Sequence, residues 1–153
     1  MALKEGDKAP DFSLPASSGG TISLKGLAGK KVVLYFYPKD NTSGCTTEAC
    51  SFRDADAKLK KAGAVVLGVS ADSIASHQKF AGKYSLPFAL LSDEGSKVAT
   101  VYEAWGEKSL YGRKYMGMFR KTFLIDEKGK LTKIWPKVKP EGHAEEVLAA
   151  IKG

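Results

Sequence analysis

Two short apolar runs constrain this chain more than anything else in it. Residues 31–37 read Lys-Val-Val-Leu-Tyr-Phe-Tyr and residues 65–70 read Val-Val-Leu-Gly-Val-Ser. Unbroken runs rich in β-branched and aromatic side chains are the mark of strands buried on both faces rather than one. A sheet that is apolar on both faces needs a covering layer on each. The chain is therefore predicted to form a central mixed β-sheet flanked by helices.

The remaining segments fit that plan. Ser17-Ser18-Gly19-Gly20 reads as a hairpin turn before a short strand at 21–24. The first buried run stops at Pro38, and a polar loop leads to a helical pattern over 45–61. Asp72 or Ser73 can cap a helix reaching about Lys83, and a strand follows at 88–91. Ser92 or Asp93 is then predicted to cap a helix ending near Trp105, and residues 106–118 read as a basic, aromatic loop. Strands at 121–125 and 131–135 flank Asp126-Glu127-Lys128-Gly129, with glycine where a hairpin turn needs positive φ. A last amphipathic helix over 140–151 places Val147, Leu148 and Ile151 on one face. This order of elements matches an α/β, thioredoxin-like fold with an N-terminal β-hairpin extension. At 153 residues and 16.4 kDa, one domain spanning residues 1–153 is expected.

Composition excludes several classes. A content of 43% hydrophobic and 27% charged residues disfavours disorder, collagen and coiled-coil arrays. The longest strongly apolar run, 32–37, is far short of the roughly 20 residues a membrane-crossing helix needs. The first eight residues lack the apolar core of a secretory signal, so a cytoplasmic location is expected. The net charge of +7 has one source: residues 106–140 hold ten Lys and Arg against three acids. Without a nucleic-acid motif, a solvated lysine-rich surface is the preferred reading, and nucleic-acid binding a weak one.

Two cysteines, Cys45 and Cys50, are too few for a disulfide scaffold, and so close a pair points to redox or metal chemistry. Two thiols at this spacing without further convergent ligands disfavour zinc. Cys45 falls where the loop meets the first turn of its helix, a position at which free amides and the helix dipole favour an anion. Ionisation alone is not enough. Lowering a thiol pKa by ~3 units costs roughly 15- to 30-fold in nucleophilicity, while full ionisation gains only ~30-fold over the few per cent present at neutral pH. Groups acting on the electrophile are needed. Thr42, three residues earlier, is one candidate donor and the Cys45 amide another. A cation is also wanted, but position does not select it from 24 Lys and Arg.

Pro38-Lys39-Asp40-Asn41-Thr42-Ser43-Gly44-Cys45 satisfies the P-x-x-x-T-x-x-C signature of peroxiredoxins, and Thr46-Thr47-Glu48-Ala49-Cys50 extends it as in the bacterioferritin comigratory protein, or PrxQ, subfamily. The chain resembles that subfamily over most of its length: at residues 4–12, in Trp105-Gly106-Glu107-Lys108 and residues 111–117, and in Arg120-Lys121-Thr122-Phe123-Leu124-Ile125-Asp126. Two residues depart from the pattern, Ser43 where Pro is common and Lys121 where Ser is common. Neither removes a catalytic group.

The resemblance implies a thiol-dependent peroxidase. Cys45 would be the peroxidatic nucleophile, Cys50 the resolving cysteine, Arg120 the active-site cation, and Thr42 and Pro38 the rest of the pocket. It implies hydrogen peroxide and alkyl hydroperoxides as substrates, thioredoxin or a similar dithiol as reductant, no metal or organic cofactor, no membrane, and a monomer or weak dimer. A Cys45-Cys50 disulfide cannot form across an intact helix, so the first turns are expected to unwind, through about Phe52. Two rivals stand beside this reading. One is a thioredoxin-like dithiol oxidoreductase, which would use C-x-x-C; the other is a basic binding or chaperone-like module using residues 106–140. His77 and His143 read as isolated histidines without a role, and Trp105, Tyr111, Tyr115 and Trp135 as packing residues.

Overall fold

The computed structural model describes residues 3–152. Strands β1 (Ser13–Pro15) and β2 (Thr21–Ser23) form the N-terminal hairpin, followed by β3 (Lys31–Phe36). Helix α1 (Ser43–Lys61), β4 (Ala64–Ser70), α2 (Ile74–Lys83), β5 (Ala89–Ser92) and the short α3 (Lys97–Val101) come next. The chain ends with β6 (Trp105–Leu110), β7 (Arg113–Met118), β8 (Lys121–Ile125), β9 (Leu131–Trp135) and α4 (His143–Lys152). The central sheet has the order β5-β4-β3-β8-β9. Strand β3 lies parallel to β4 and antiparallel to β8, so the sheet is mixed and β3 is its middle strand.

The strand alternation of β3 divides the core. Val33, Tyr35 and Tyr37 point to the face covered by Ala49, Phe52 and Leu59 of α1 and Val147 and Leu148 of α4, where Phe80 of α2 also packs. Val32, Leu34 and Phe36 point the other way, onto Phe12, Leu14, Tyr102 and Leu131. Both faces are dry, as the unbroken run predicts. The second face is covered chiefly by the N-terminal hairpin and α3 rather than by long helices.

Two sequence expectations change. The helix expected to reach Trp105 is only five residues long, Lys97–Val101. Ser96 starts it in the left-handed region, while the Asp93 carboxylate accepts from the amides of Val98 and Ala99. Residues 105–118 are not a loop but the hairpin β6-β7, turned by Tyr111 (φ 52°) and Gly112 (φ 76°). Paired positive φ values are what a two-residue hairpin turn requires. Its polar faces leave no apolar alternation to read: Leu110, Tyr111, Tyr115 and Met116 are exposed, so the two tyrosines are not packing residues.

Gly68 shows how tight the middle of the sheet is. It pairs with Tyr35 across the β3-β4 ladder, and a Cβ there would lie 2.8 Å from Cζ and Oη of Tyr35 and 2.9 Å from Leu90 Cδ2. The Tyr35 ring cannot withdraw because it stacks on Phe52 at 4.8 Å. Gly68→Ala is expected to destabilise the protein by about 1–3 kcal/mol through overpacking. Urea unfolding measures this, and a wild-type midpoint would contradict it.

Candidate active site

Helix α1 begins one residue after Thr42, whose extended backbone (φ −81°, ψ 154°) makes it the N-cap. The first helical bond runs from the Thr46 amide to the Thr42 carbonyl. The amides of Ser43, Gly44 and Cys45 therefore have no acceptor within the helix and fan out at its positive end. Cys45 sits at this end and is 1% exposed.

The cation that sequence position could not select is Arg120, delivered by the connection between β7 and β8. Its Nη2 donates to Cys45 Sγ at 3.3 Å and its Nη1 to Glu48 Oε1 at 2.7 Å. Gly44 makes the approach possible, because a Cβ there would stand 3.1 Å from Nη2. Burial works against the charge on Arg120, but Glu48 and Cys45 outweigh it and hold the guanidinium protonated. Lys108 of β6 also lies within electrostatic range. Burial first, and then Arg120, push its ammonium below the ordinary lysine value, while Cys45 pulls the other way.

Glu48 is the site residue that sequence reasoning missed. On the helix it alternates with apolar positions as an ordinary polar residue would, yet it is fully buried. Its distance from Cys45 was the available signal, since three residues along a helix bring it back to the same face. Burial pushes its carboxyl up to about 7, against the pull of Arg120.

Thr42 stands beside the site as the N-cap residue of α1. Its hydroxyl hydrogen is used on the Lys39 carbonyl at 3.0 Å, and it makes no side-chain cap bond. In this arrangement its oxygen lone pairs remain available to accept from a bound molecule. Pro38 is exposed and follows directly on the buried Tyr37 where the sheet ends. Cys50, five residues beyond Cys45, is partly exposed, and both thiols are free. The helix that separates them is continuous.

The loop over residues 38–42 is fastened through Asp40, and here the histidines prove not to be isolated. His77 lies against Asp40, with Nδ1 2.7 Å from Oδ2. His143 contacts the Thr122 hydroxyl through Nε2 at 2.8 Å and packs edge-on against Phe52 and Trp135. Burial holds the His143 ring below the usual histidine range. Asp40, Asp72 and His77 bring three ligand-type groups within 4.8 Å of one another. Their contacts form a hydrogen-bond network with Tyr37, Ser70 and Ser76.

A thioredoxin-like sheet with a cysteine at a helix N-terminus under an arginine defines a class, the thiol-dependent peroxidases. The chain belongs to the AhpC/TSA family, whose sequence pattern it matches over residues 5–134. Within that family it groups with the Bcp, or PrxQ, peroxiredoxins. It is 53% identical over 151 residues to the putative peroxiredoxin bcp of Coxiella burnetii, covering 99% of this chain and 100% of the relative. It is 48% identical over 152 residues to peroxiredoxin Bcp of Bacillus subtilis, covering 99% and 97%. Among solved structures, the Xanthomonas campestris bacterioferritin comigratory protein, studied for alkyl peroxide reduction, superposes with a TM-score of 0.88 at 42% identity, covering 92% of this chain and 90% of that one.

The raised Glu48 value has a consequence for stability. Its folded-state pKa, about 7, lies above the ordinary 4.5, so the folded protein holds this proton more tightly than the unfolded chain. The stabilisation is complete below about 4.5 and is lost as the pH rises toward 7. Glu48→Gln keeps an acceptor for Arg120 without the charge. Its unfolding free energy relative to wild type, measured by urea unfolding across this range, is expected to improve steadily between these pH values, to a ceiling of about 3 kcal/mol. A difference independent of pH would contradict the assignment.

Proposed function

We propose that Cys45 is the peroxidatic nucleophile and Cys50 the resolving cysteine of this peroxidase, with Arg120, Thr42 and the amides of the first α1 turn acting on the peroxide. The observation that carries this reading is the Arg120 guanidinium 3.3 Å from Cys45 Sγ, at the amide end of the helix. A cationic donor and uncapped amides stabilise both the attacking sulfur anion and the charge that develops as an O–O bond breaks. Each such donor contributes on the order of 3 kcal/mol by comparison with oxyanion sites.

The chemistry follows from the placement. The Cys45 thiolate attacks one oxygen of R–O–O–H in line; an S–O bond forms, the O–O bond breaks, and the departing alkoxide or hydroxide takes a proton to leave as alcohol or water. Thr42, its own hydrogen committed to Lys39, accepts from the peroxide O–H and orients it. Pro38 ends β3 and frames the loop. The product on the protein is Cys45 sulfenic acid.

Resolution requires the helix to open. Five residues along an α-helix separate Cys45 and Cys50 by about 7.5 Å of rise and roughly 140° of rotation, whereas a disulfide needs Cα atoms about 4.4–6.8 Å apart with converging side chains. The turns from Ser43 unwind, and the Cys50 thiol attacks the sulfenic sulfur; an S–S bond forms, the S–O bond breaks, and the thiol proton goes to the departing hydroxide, giving the Cys45-Cys50 disulfide and water. Unwinding extends to about Phe52, which is fully buried and stacked on Tyr35. Thioredoxin or a similar dithiol returns the two electrons, in the reducing cytoplasm that regenerates such donors. Hydrogen peroxide and alkyl hydroperoxides are the substrates, in keeping with the alkyl peroxide reduction described for the Xanthomonas relative. Every group in the cycle comes from one chain, which suits a monomer or weak dimer.

Peroxide consumption with thioredoxin and its reductase tests the assignment. Cys45→Ser is expected to be inactive. Cys50→Ser should consume one equivalent of peroxide and lose most cycling; full cycling would remove its resolving role. Arg120→Met is expected to slow Cys45 oxidation by about 10²–10³-fold, read by stopped-flow mixing with peroxide.

A further inference from the structure

His77 is fully buried on α2, and the mechanism above does not use it. Its ring nitrogens face unlike partners that share one property. Nε2 is 2.9 Å from the Leu91 carbonyl of β5, which can only accept, so Nε2 carries a hydrogen. Nδ1 is 2.7 Å from Asp40 Oδ2. Two bare acceptors would repel at that distance, so a proton lies between them as well.

The carboxylate already receives the Tyr37 hydroxyl on Oδ1 at 2.6 Å and the Ser76 hydroxyl on Oδ2 at 2.8 Å. Burial disfavours its charge, but the hydrogen bonds from His77, Tyr37 and Ser76 outweigh that and hold the carboxyl below the ordinary aspartate range. The ring is therefore clamped between two acceptors, the Leu91 carbonyl and the Asp40 carboxyl, with a hydrogen on the Nδ1–Oδ2 line. Tyr37 at the end of β3, Asp40 in the loop and Asp72 after β4 are the titratable groups around the ring. The remaining partners, the Ser76 hydroxyl and the Leu91 carbonyl, do not titrate near neutrality.

Asp40 is also where the active-site loop is fastened. Its amide donates to Asp72 Oδ2 at 2.9 Å, and its carboxylate ties the loop to α2 and β3. Beyond it the chain turns through Asn41 in the left-handed region (φ 64°) and reaches Thr42, the N-cap of the cysteine helix. Among the described side-chain hydrogen bonds, those joining residues 38–42 to the rest of the protein all pass through Asp40. A shift of Asp40 moves the Thr42 hydroxyl and the amide fan together, and displacements near 1 Å at such groups cost about 10²-fold in rate.

We infer that His77 is a positioning residue of the peroxidase site: through the proton it shares with Asp40 it holds the loop that places Thr42 and the amide end of α1 against the peroxide. The inference rests on the assignment of Cys45 as nucleophile.

Three measurements on the reduced full-length protein test it. Proton NMR should show a slowly exchanging low-field resonance for the proton between His77 Nδ1 and Asp40 Oδ2, absent in His77→Leu; its absence from the wild type would overturn the proposal. Single-turnover oxidation by hydrogen peroxide should be at least tenfold slower in His77→Leu, and a folded His77→Leu protein with the wild-type rate would overturn it. Should that variant not fold, the Asp40 pair decides. Asp40→Asn can donate its amide hydrogen to a neutral His77 ring, so it should recover most of the rate lost in Asp40→Ala. Equal rates for the two would refute positioning through this contact. If Cys45→Ser still consumes peroxide, the nucleophile assignment fails instead, whatever the His77 variants do.

Discussion

One guanidinium holds the site together. Arg120 spans Cys45 and Glu48, residues 75 and 72 positions away in the chain, and does so from the short connection between β7 and β8. Because β8 pairs directly with β3, and β3 leads through the Pro38 loop into α1, the arginine and the cysteine are carried by neighbouring strands. The register of that antiparallel pair sets the separation of guanidinium and sulfur. Gly44 then relieves crowding at the contact, since a Cβ there would stand 3.1 Å from Nη2. Around this ion sits a carboxyl with little tolerance for its own charge, so Arg120 is shared unequally, and Glu48 and Cys45 compete for it.

The same helix has to satisfy opposed demands. In the proposed cycle its first turn is formed to present uncapped amides to the peroxide, and unmade to let two sulfurs meet. The sequence meets both with a division along α1. The start carries Ser43, Gly44, Thr46 and Thr47, and Thr47 bonds back to the Ser43 carbonyl, a habit that weakens helices. Phe52, Ala55 and Leu59 further along are core residues. Opening free energies differ along one element when buried contacts do. On the other side of the cysteine the chain is held at Asp40, so the segment between Asp40 and Phe52 is bounded by two buried anchors.

Much of the fold was legible in the sequence because it rests on local periodicity. The runs that became β3 and β4, the Gly129 turn, the Ser73 cap on α2 and the apolar face of α4 each carry their signal within a few residues. The β6-β7 hairpin was not legible, since neither of its faces is buried enough to impose alternation and its lysines resemble those of a loop. The expected helix beyond Asp93 differs for a related reason: Ser96, not Asp93, is its N-cap, although the Asp93 carboxylate accepts two of its first amides, and the chain leaves the helix at Val101 for the hairpin.

At the site, the sequence by itself determined the setting of the proposed nucleophile, a cysteine three residues after Thr42 where a buried strand turns into a helix, and the motif that marks Arg120. Only the tertiary structure decided that Glu48 is dry, that His77 lies against Asp40, and that the Thr42 hydroxyl faces the Lys39 carbonyl. The physical reason is common to all three. Helical and strand patterns are fixed by neighbours along the chain, whereas desolvation and hydrogen-bond direction are set by groups that arrive from other elements, and no local pattern records which ones will come.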